Sequence, residues 1–159
     1  MECRFLEFTN IKCTSMDKKF CEFQYCFIKA TNRTYKHLSV RNNLYKVPVN
    51  QFSINAAFTK RSNGILPFKY NLTFDGCKMV ADIGNPWIAF LFGLLKPHSN
   101  INHSCPFDHD IIVDKLPTYF LQQQFAKFFP FPEGDYIFNS NWISSGVIRA
   151  NVRVHLSYG

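Results

Sequence analysis

The stretch IRANVRVHLSY, residues 148–158, decides the fold class. Ile148, Ala150, Val152, Val154, Leu156 and Tyr158 alternate with Arg149, Asn151, Arg153, His155 and Ser157. Successive side chains of a β-strand point to opposite faces, so this period of two describes a strand with one face in a core and one in water. The period recurs upstream. In QFSINAAF (51–58), Phe52, Ile54, Ala56 and Phe58 hold the apolar positions; in PFKYNLTFDGC (67–77), Phe68, Tyr70, Leu72 and Phe74 alternate with Lys69, Asn71, Thr73 and Asp75. FCEFQYCF (20–27), with Phe23, Tyr25 and Phe27 on one face, and GDYIFNSNWI (134–143), with Tyr136, Phe138 and Trp142, read the same way. With strands near residues 5–13 and 34–47 the set reaches about seven, separated by turn signals. This predicts an all-β, immunoglobulin-like antiparallel sandwich.

One segment breaks the alternation. NPWIAFLFGLLKP (85–97) offers Asn85 as N-cap, Pro86 at the first helical position and Lys96-Pro97 as a stop, which predicts a short helix near residues 86–95. The helix is apolar on nearly every side, so it must be buried on most sides or lie over a hydrophobic opening. TYFLQQQFAKFF (118–129) is ambiguous: Leu121, Phe125 and Phe128 share a helical face, while the Phe-rich ends suit a strand equally.

The 159 residues read as a single domain over 1–159, without linker, repeat or low-complexity tract. Hydrophobic residues make up 47% and phenylalanine occupies 18 positions, a composition that excludes disorder. The longest apolar run, WIAFLFGLL, is about half a membrane span, so a soluble protein is expected. Six cysteines and three Asn-x-Ser/Thr sequons, at Asn32, Asn71 and Asn102, point to a secreted glycoprotein. MECRFLEF lacks the apolar run of a leader, so the leader is expected to have been removed or to lie upstream of Met1.

The net charge of +7 is unevenly spread, since residues 18–69 hold ten Lys/Arg against Glu22 alone. Two readings stay open: a footprint for an anionic lipid surface or an acidic partner such as a membrane receptor, or the solvated outer faces of strands. Outside the cell, nucleic acid is not an expected partner.

Six cysteines allow 15 connectivities. Cys13 and Cys26 lie on the first two strands, either side of the SMDKK turn, where a cross-strand bridge fits. Cys77 and Cys105 bracket the apolar helix, and closing that loop is worth roughly 3–4 kcal/mol on the chain-entropy account. Cys3 and Cys21 either pair with each other or stand apart, Cys3 at a frayed terminus and Cys21 as a small buried group.

Taken in order, FTNIKCTSMDKKFCEFQYCFIKATNRTYK (8–36), NLTFDGCK (71–78), KPHSNINHSCPFDHDIIVDKLP (96–117) and FPFPEGDY (129–136) resemble a family of small secreted insect proteins related to the chemosensory CheB proteins. That family in turn resembles the myeloid-differentiation-factor-related lipid-recognition (ML) domain and the ganglioside activator protein. The resemblance covers residues 5–158. It implies a sandwich opened between its sheets to admit a lipid, with no catalytic residues. It also implies that Cys13, Cys26, Cys77 and Cys105 are structural, and that Pro130, Pro132 and Gly134 start the strand through Tyr136. One departure is plain: many ML proteins tie the first strand to the last by a disulfide, and no cysteine follows Cys105 here.

The expected function is a secreted, non-enzymatic binder or carrier of a lipid or other hydrophobic ligand; a role in chemosensation follows from the resemblance alone. Candidate cavity residues are Phe68, Tyr70, Phe74, Trp87, Phe90, Leu91, Leu94, Tyr136, Phe138, Trp142, Val152 and Val154. The same side chains could interdigitate into a solid core, which leaves an extracellular interaction module as the alternative. A remoter reading takes SNINHSCPFDHDIIVDKLP (99–117) as a metal or hydrolytic site, because His103, Cys105 and His109 supply the right chemistry. Against it, there is no C-x2-C knuckle, and a thiol would be oxidised outside the cell. Neither cofactor nor metal is expected. If the loop rims a cavity, His103, His109 and Asp110 become candidates for contacting a lipid head group.

Overall fold

The computed structural model describes residues 5–32, 35–61, 69–82, 84–128 and 133–159, with the side chains of Arg61, Lys69, Tyr70 and residues 125–128 outside that description. Among the described residues there are eight strands: β1 (Leu6–Ser15), β2 (Cys21–Ala30), β3 (Lys36–Leu44), β4 (Ser53–Arg61), β5 (Lys69–Asp75), β6 (Ile111–Pro117), β7 (Gly134–Ser144) and β8 (Val147–Tyr158). They make one sheet of order β1-β8-β7-β4-β5 and another of order β2-β3-β6, every pairing antiparallel. The expected antiparallel sandwich is what the chain adopts. The stretch 148–158 becomes β8, hydrogen-bonded on both sides, with Ala150, Val152, Val154 and Leu156 buried between the sheets. Its hairpin with β7 turns at Ser145 (φ 54°) and Gly146 (φ 74°), the two positive-φ positions that match the right-handed twist of the strands.

The strands differ from the sequence expectation in three places. IIVDKLP, not anticipated as a strand, is β6, an edge strand paired with β3. Next, Phe23, Tyr25 and Phe27 do not share a face. A register shift between Phe23 and Tyr25 inserts a bulge, after which Cys26 and Ile28 turn inward while the Tyr25 and Phe27 rings, tilted by 50°, pack against each other outside, Phe27 being 41% exposed. Finally, the first two strands are not a hairpin: β1 pairs with β8 and β2 with β3, so the SMDKK turn carries the chain from one sheet to the other. The Cys13–Cys26 bridge, Cα atoms 6.2 Å apart, therefore staples the two sheets together.

Helix α1 (Pro86–Leu95) forms where expected: the Asn85 side-chain oxygen accepts from the backbone N–H of Trp87 at 2.9 Å and of Ile88 at 3.4 Å, and Pro86 occupies the first turn. TYFLQQQFAKF resolves as a second helix, α2 (Thr118–Phe128). Leu121 is buried in the cluster that contains Leu6, Leu116 and Tyr136, and Gln122 accepts the Leu6 N–H at 3.1 Å, so α2 packs at the start of β1. A second cluster, with Met79, Ile88, Ile101 and Phe107, lies toward β5 and α1. Phe138, Trp142 and Leu95 pack against both clusters and join them.

The Cys77–Cys105 bridge (Cα atoms 4.8 Å apart) closes the segment holding α1, as expected. Cys21 carries a free, buried thiol; Cys3, Pro130 and Pro132 lie outside the described residues.

Candidate functional site

Between the sheets lies a cavity of about 290 Å³, just under the roughly 300–1,000 Å³ typical of small-molecule sites. Its walls come from inward positions of both sheets, and α1 completes them. Of the candidate residues, Phe74, Trp87, Phe90, Leu91, Leu94, Phe138, Trp142, Val152 and Val154 line it. Tyr136 does not. It is fully buried and stacks on Phe58, ring centroids 4.9 Å apart, inside the packed core; burial pushes its phenol up to about 12. Phe68 and the Tyr70 side chain lie outside the described residues.

The lining also includes residues that period-two reading did not single out. The three-stranded sheet contributes Leu38, Val40, Asn42 and Leu44 from β3 and Ile111, Val113 and Leu116 from β6; the other sheet adds Phe8, and the loops add Val49 and Phe107. The β3 set was visible in HLSVRNNL, where Leu38, Val40, Asn42 and Leu44 alternate, but the polar Asn42 interrupts the apolar pattern.

Only Ile88 of α1 is buried, while Trp87, Phe90, Leu91 and Leu94 are half-buried and reach the cavity. A helix this apolar is costly to leave half-buried, since apolar surface in water costs about 25 cal/mol per Å². The helix lies against the cavity, with these side chains in its wall.

Polar groups at the wall are few, and most are satisfied internally. Ser140 donates to the Val152 carbonyl at 3.1 Å and accepts from the Trp142 indole N–H at 3.2 Å. Arg149 is committed to Asp17 at 2.6 Å and to the Ser144 carbonyl at 3.2 Å, with its guanidinium over the Phe20 ring. The Arg149 guanidinium in turn holds the Asp17 carboxyl below its ordinary range. The Cys21 thiol, raised by burial, donates to the Arg149 carbonyl at 3.5 Å.

The histidine-rich loop is organised by its own bonds. Cys105 is tied to Cys77, so its sulfur is neither thiolate ligand nor nucleophile here. His103 Nδ1 donates to the Ser104 carbonyl at 2.7 Å, and its Nε2 faces His109 Nε2 at 2.8 Å. Asn100 donates to the Asp110 carbonyl at 2.7 Å and accepts the Ile112 N–H at 2.9 Å, pinning the loop to β6. Asp110 binds Arg41 and the Leu44 N–H. None of these three head-group candidates lines the cavity. Among the described residues, no three His, Cys, Asp or Glu converge as a metal site would require. Asn32, Asn71 and Asn102 are all exposed.

Fold and interior define a small disulfide-stapled β-sandwich built around an apolar cavity. Residues 54–138, a little over half of the chain, match the model of the family described as protein of unknown function (DUF1091), and the chain belongs to that family. The matched region runs from β4 into β7 and contains both helices and the Cys77–Cys105 bridge. No curated protein matches the chain.

Proposed function

We propose that the protein is a secreted, non-enzymatic carrier of a single-chain lipid or comparable hydrophobic molecule, held between the two sheets under α1. The observation that carries this reading is the apolar cavity of about 290 Å³ whose wall includes a half-buried helix. A solid core would have filled this space, because interiors otherwise pack to the density of organic crystals. Two disulfides and three exposed sequons support an extracellular setting. The motif resemblance to CheB-related and ML proteins supports the same ligand class and suggests chemosensation as the context.

The test is native mass spectrometry, with solvent extraction, of protein secreted from insect cells. A copurifying lipid, or stoichiometric uptake of an added fluorescent fatty-acid probe, is expected. Empty protein that takes up no probe sinks the proposal.

A further inference from the structure

One end of the sandwich carries three neighbouring segments: the turn between β1 and β2 (16–20), the loop after β3 (45–47) and the β7–β8 turn with the start of β8 (145–148). Backbone bonds hold them side by side, the Met16 N–H donating to the Arg149 carbonyl at 2.9 Å and the Tyr45 N–H to the Phe20 carbonyl at 2.9 Å. Five of the nine exposed large hydrophobic side chains among the described residues sit here: Met16, Tyr45, Val47, Val147 and Ile148. Apolar side chains scattered singly over a surface need no explanation, whereas a group of them on one end marks a contact site. Three exposed lysines, Lys18, Lys19 and Lys46, stand among them. The acids beside them are engaged, Asp17 by Arg149 at 2.6 Å and Glu22 by the Tyr45 hydroxyl at 3.5 Å. None of the five apolar side chains lines the cavity, but their neighbours Phe20, Leu44 and Arg149 do.

We propose that this end docks on an anionic lipid bilayer, its apolar side chains entering the interfacial zone and its lysines meeting the head-group charge. Charge decides between occupants. Two copies of the chain meeting symmetrically through this end would set Lys18, Lys19 and Lys46 against the same three lysines. An anionic bilayer accepts them, each lysine near its surface strengthening attachment about fivefold. Tyr45 suits the same boundary, because its ring is apolar and its hydroxyl polar. Side chains on loops reach only the interfacial zone, so the attachment is reversible. Docking turns the end of the cavity at Phe20 and Arg149 toward the lipid. The docking stands apart from the carrier reading, since either holds without the other.

The test is cosedimentation of the full chain with vesicles of phosphatidylcholine, either alone or mixed with phosphatidylserine. The mixed vesicles are expected to bind about a hundredfold more tightly than the neutral ones, and less so as salt rises. Lys18→Ala with Lys19→Ala is expected to weaken binding to the mixed vesicles about 25-fold, and Met16→Ser with Val147→Ser about tenfold. All four positions are exposed, so the unfolding midpoint should stay near that of the wild type. Val147→Trp adds a readout of insertion: the emission it contributes is expected to shift to the blue on mixed vesicles and to be quenched by brominated acyl chains. Absence of binding to the mixed vesicles overturns the docking and leaves this end to a protein partner. Binding that K18A/K19A does not weaken, or V147W emission that stays unshifted, overturns it as well. Uptake of the fatty-acid probe without vesicles is expected to be unchanged in every variant, so the carrier reading is judged separately.

Discussion

Asp110 Oδ2 accepts the Arg41 guanidinium at 2.9 Å, and its Oδ1 accepts the Leu44 N–H at the same distance, so one carboxylate locks the loop before β6 onto β3. The Leu44 N–H, followed by Arg41, holds the Asp110 carboxyl below its ordinary range. Because the folded value is depressed, the contribution is present above the unfolded value of about 4 and lost as pH falls through the folded one. Asp110→Asn is expected to cost about 1 kcal/mol at neutral pH, discounted for the exposure of the pair. Urea unfolding should show the gap to wild type narrowing in acid; a constant gap refutes the assignment.

Tyr136 makes the opposite prediction at high pH. Its phenol is raised by burial to about 12, above its ordinary 10, so stability is full below about pH 10 and falls as pH climbs toward 12. The expected loss is up to about 2 kcal/mol. Tyrosinate absorbance should show one phenol resisting ionisation until the protein opens; full ionisation near pH 10 with the fold intact contradicts this.

The α1 segment depends on its staple. Replacing Cys77 and Cys105 together by alanine is expected to lower stability by about 3–4 kcal/mol on the chain-entropy account. Hydrogen exchange should concentrate the loosening between β5 and β6. Uniform exchange across both sheets would show that the bridge does not act locally.

The cavity wall can be filled from α1. Leu91→Trp adds bulk at a lining position on a half-buried helix, so probe uptake should fall at least about tenfold with little change in unfolding midpoint. Unchanged uptake would place the bound chain elsewhere.

His103 and His109 are expected to be silent in binding. Their ring nitrogens are engaged with a backbone carbonyl and with each other, and neither residue lines the cavity. Alanine at either position should leave probe affinity within about twofold while costing some stability. A larger loss of affinity would restore the loop as a head-group contact.

Much of this was legible in one dimension. Alternation along 148–158 and 51–58 marks strands because period two puts alternate side chains on one face, and Asn85-Pro86 marks a helix start because orphan N–H groups need a cap. Both disulfides lay open to a spacing argument. What spacing could not convey was partnership. Cys13 and Cys26 look like hairpin neighbours, yet their strands belong to different sheets, since pairing is decided by the β1–β8 contact across some 140 residues of chain. The Phe23-to-Tyr25 bulge is likewise invisible locally, because it lets Cys26 face inward to a sulfur on the other sheet.

Composition and periodicity establish an aromatic-rich sandwich with one apolar helix, because hydrophobic burial and strand geometry act residue by residue. Whether those aromatics fill the interior or surround a space depends on how far apart two sheets and a helix come to rest, a property of the assembled chain. The same holds for the chemistry. His103, Cys105 and His109 advertise a site in the sequence, and folding ties them to one another, to Cys77 and to the backbone; Asn42 advertises nothing, and folding buries it in the cavity wall, its oxygen without a hydrogen-bond partner among the described residues.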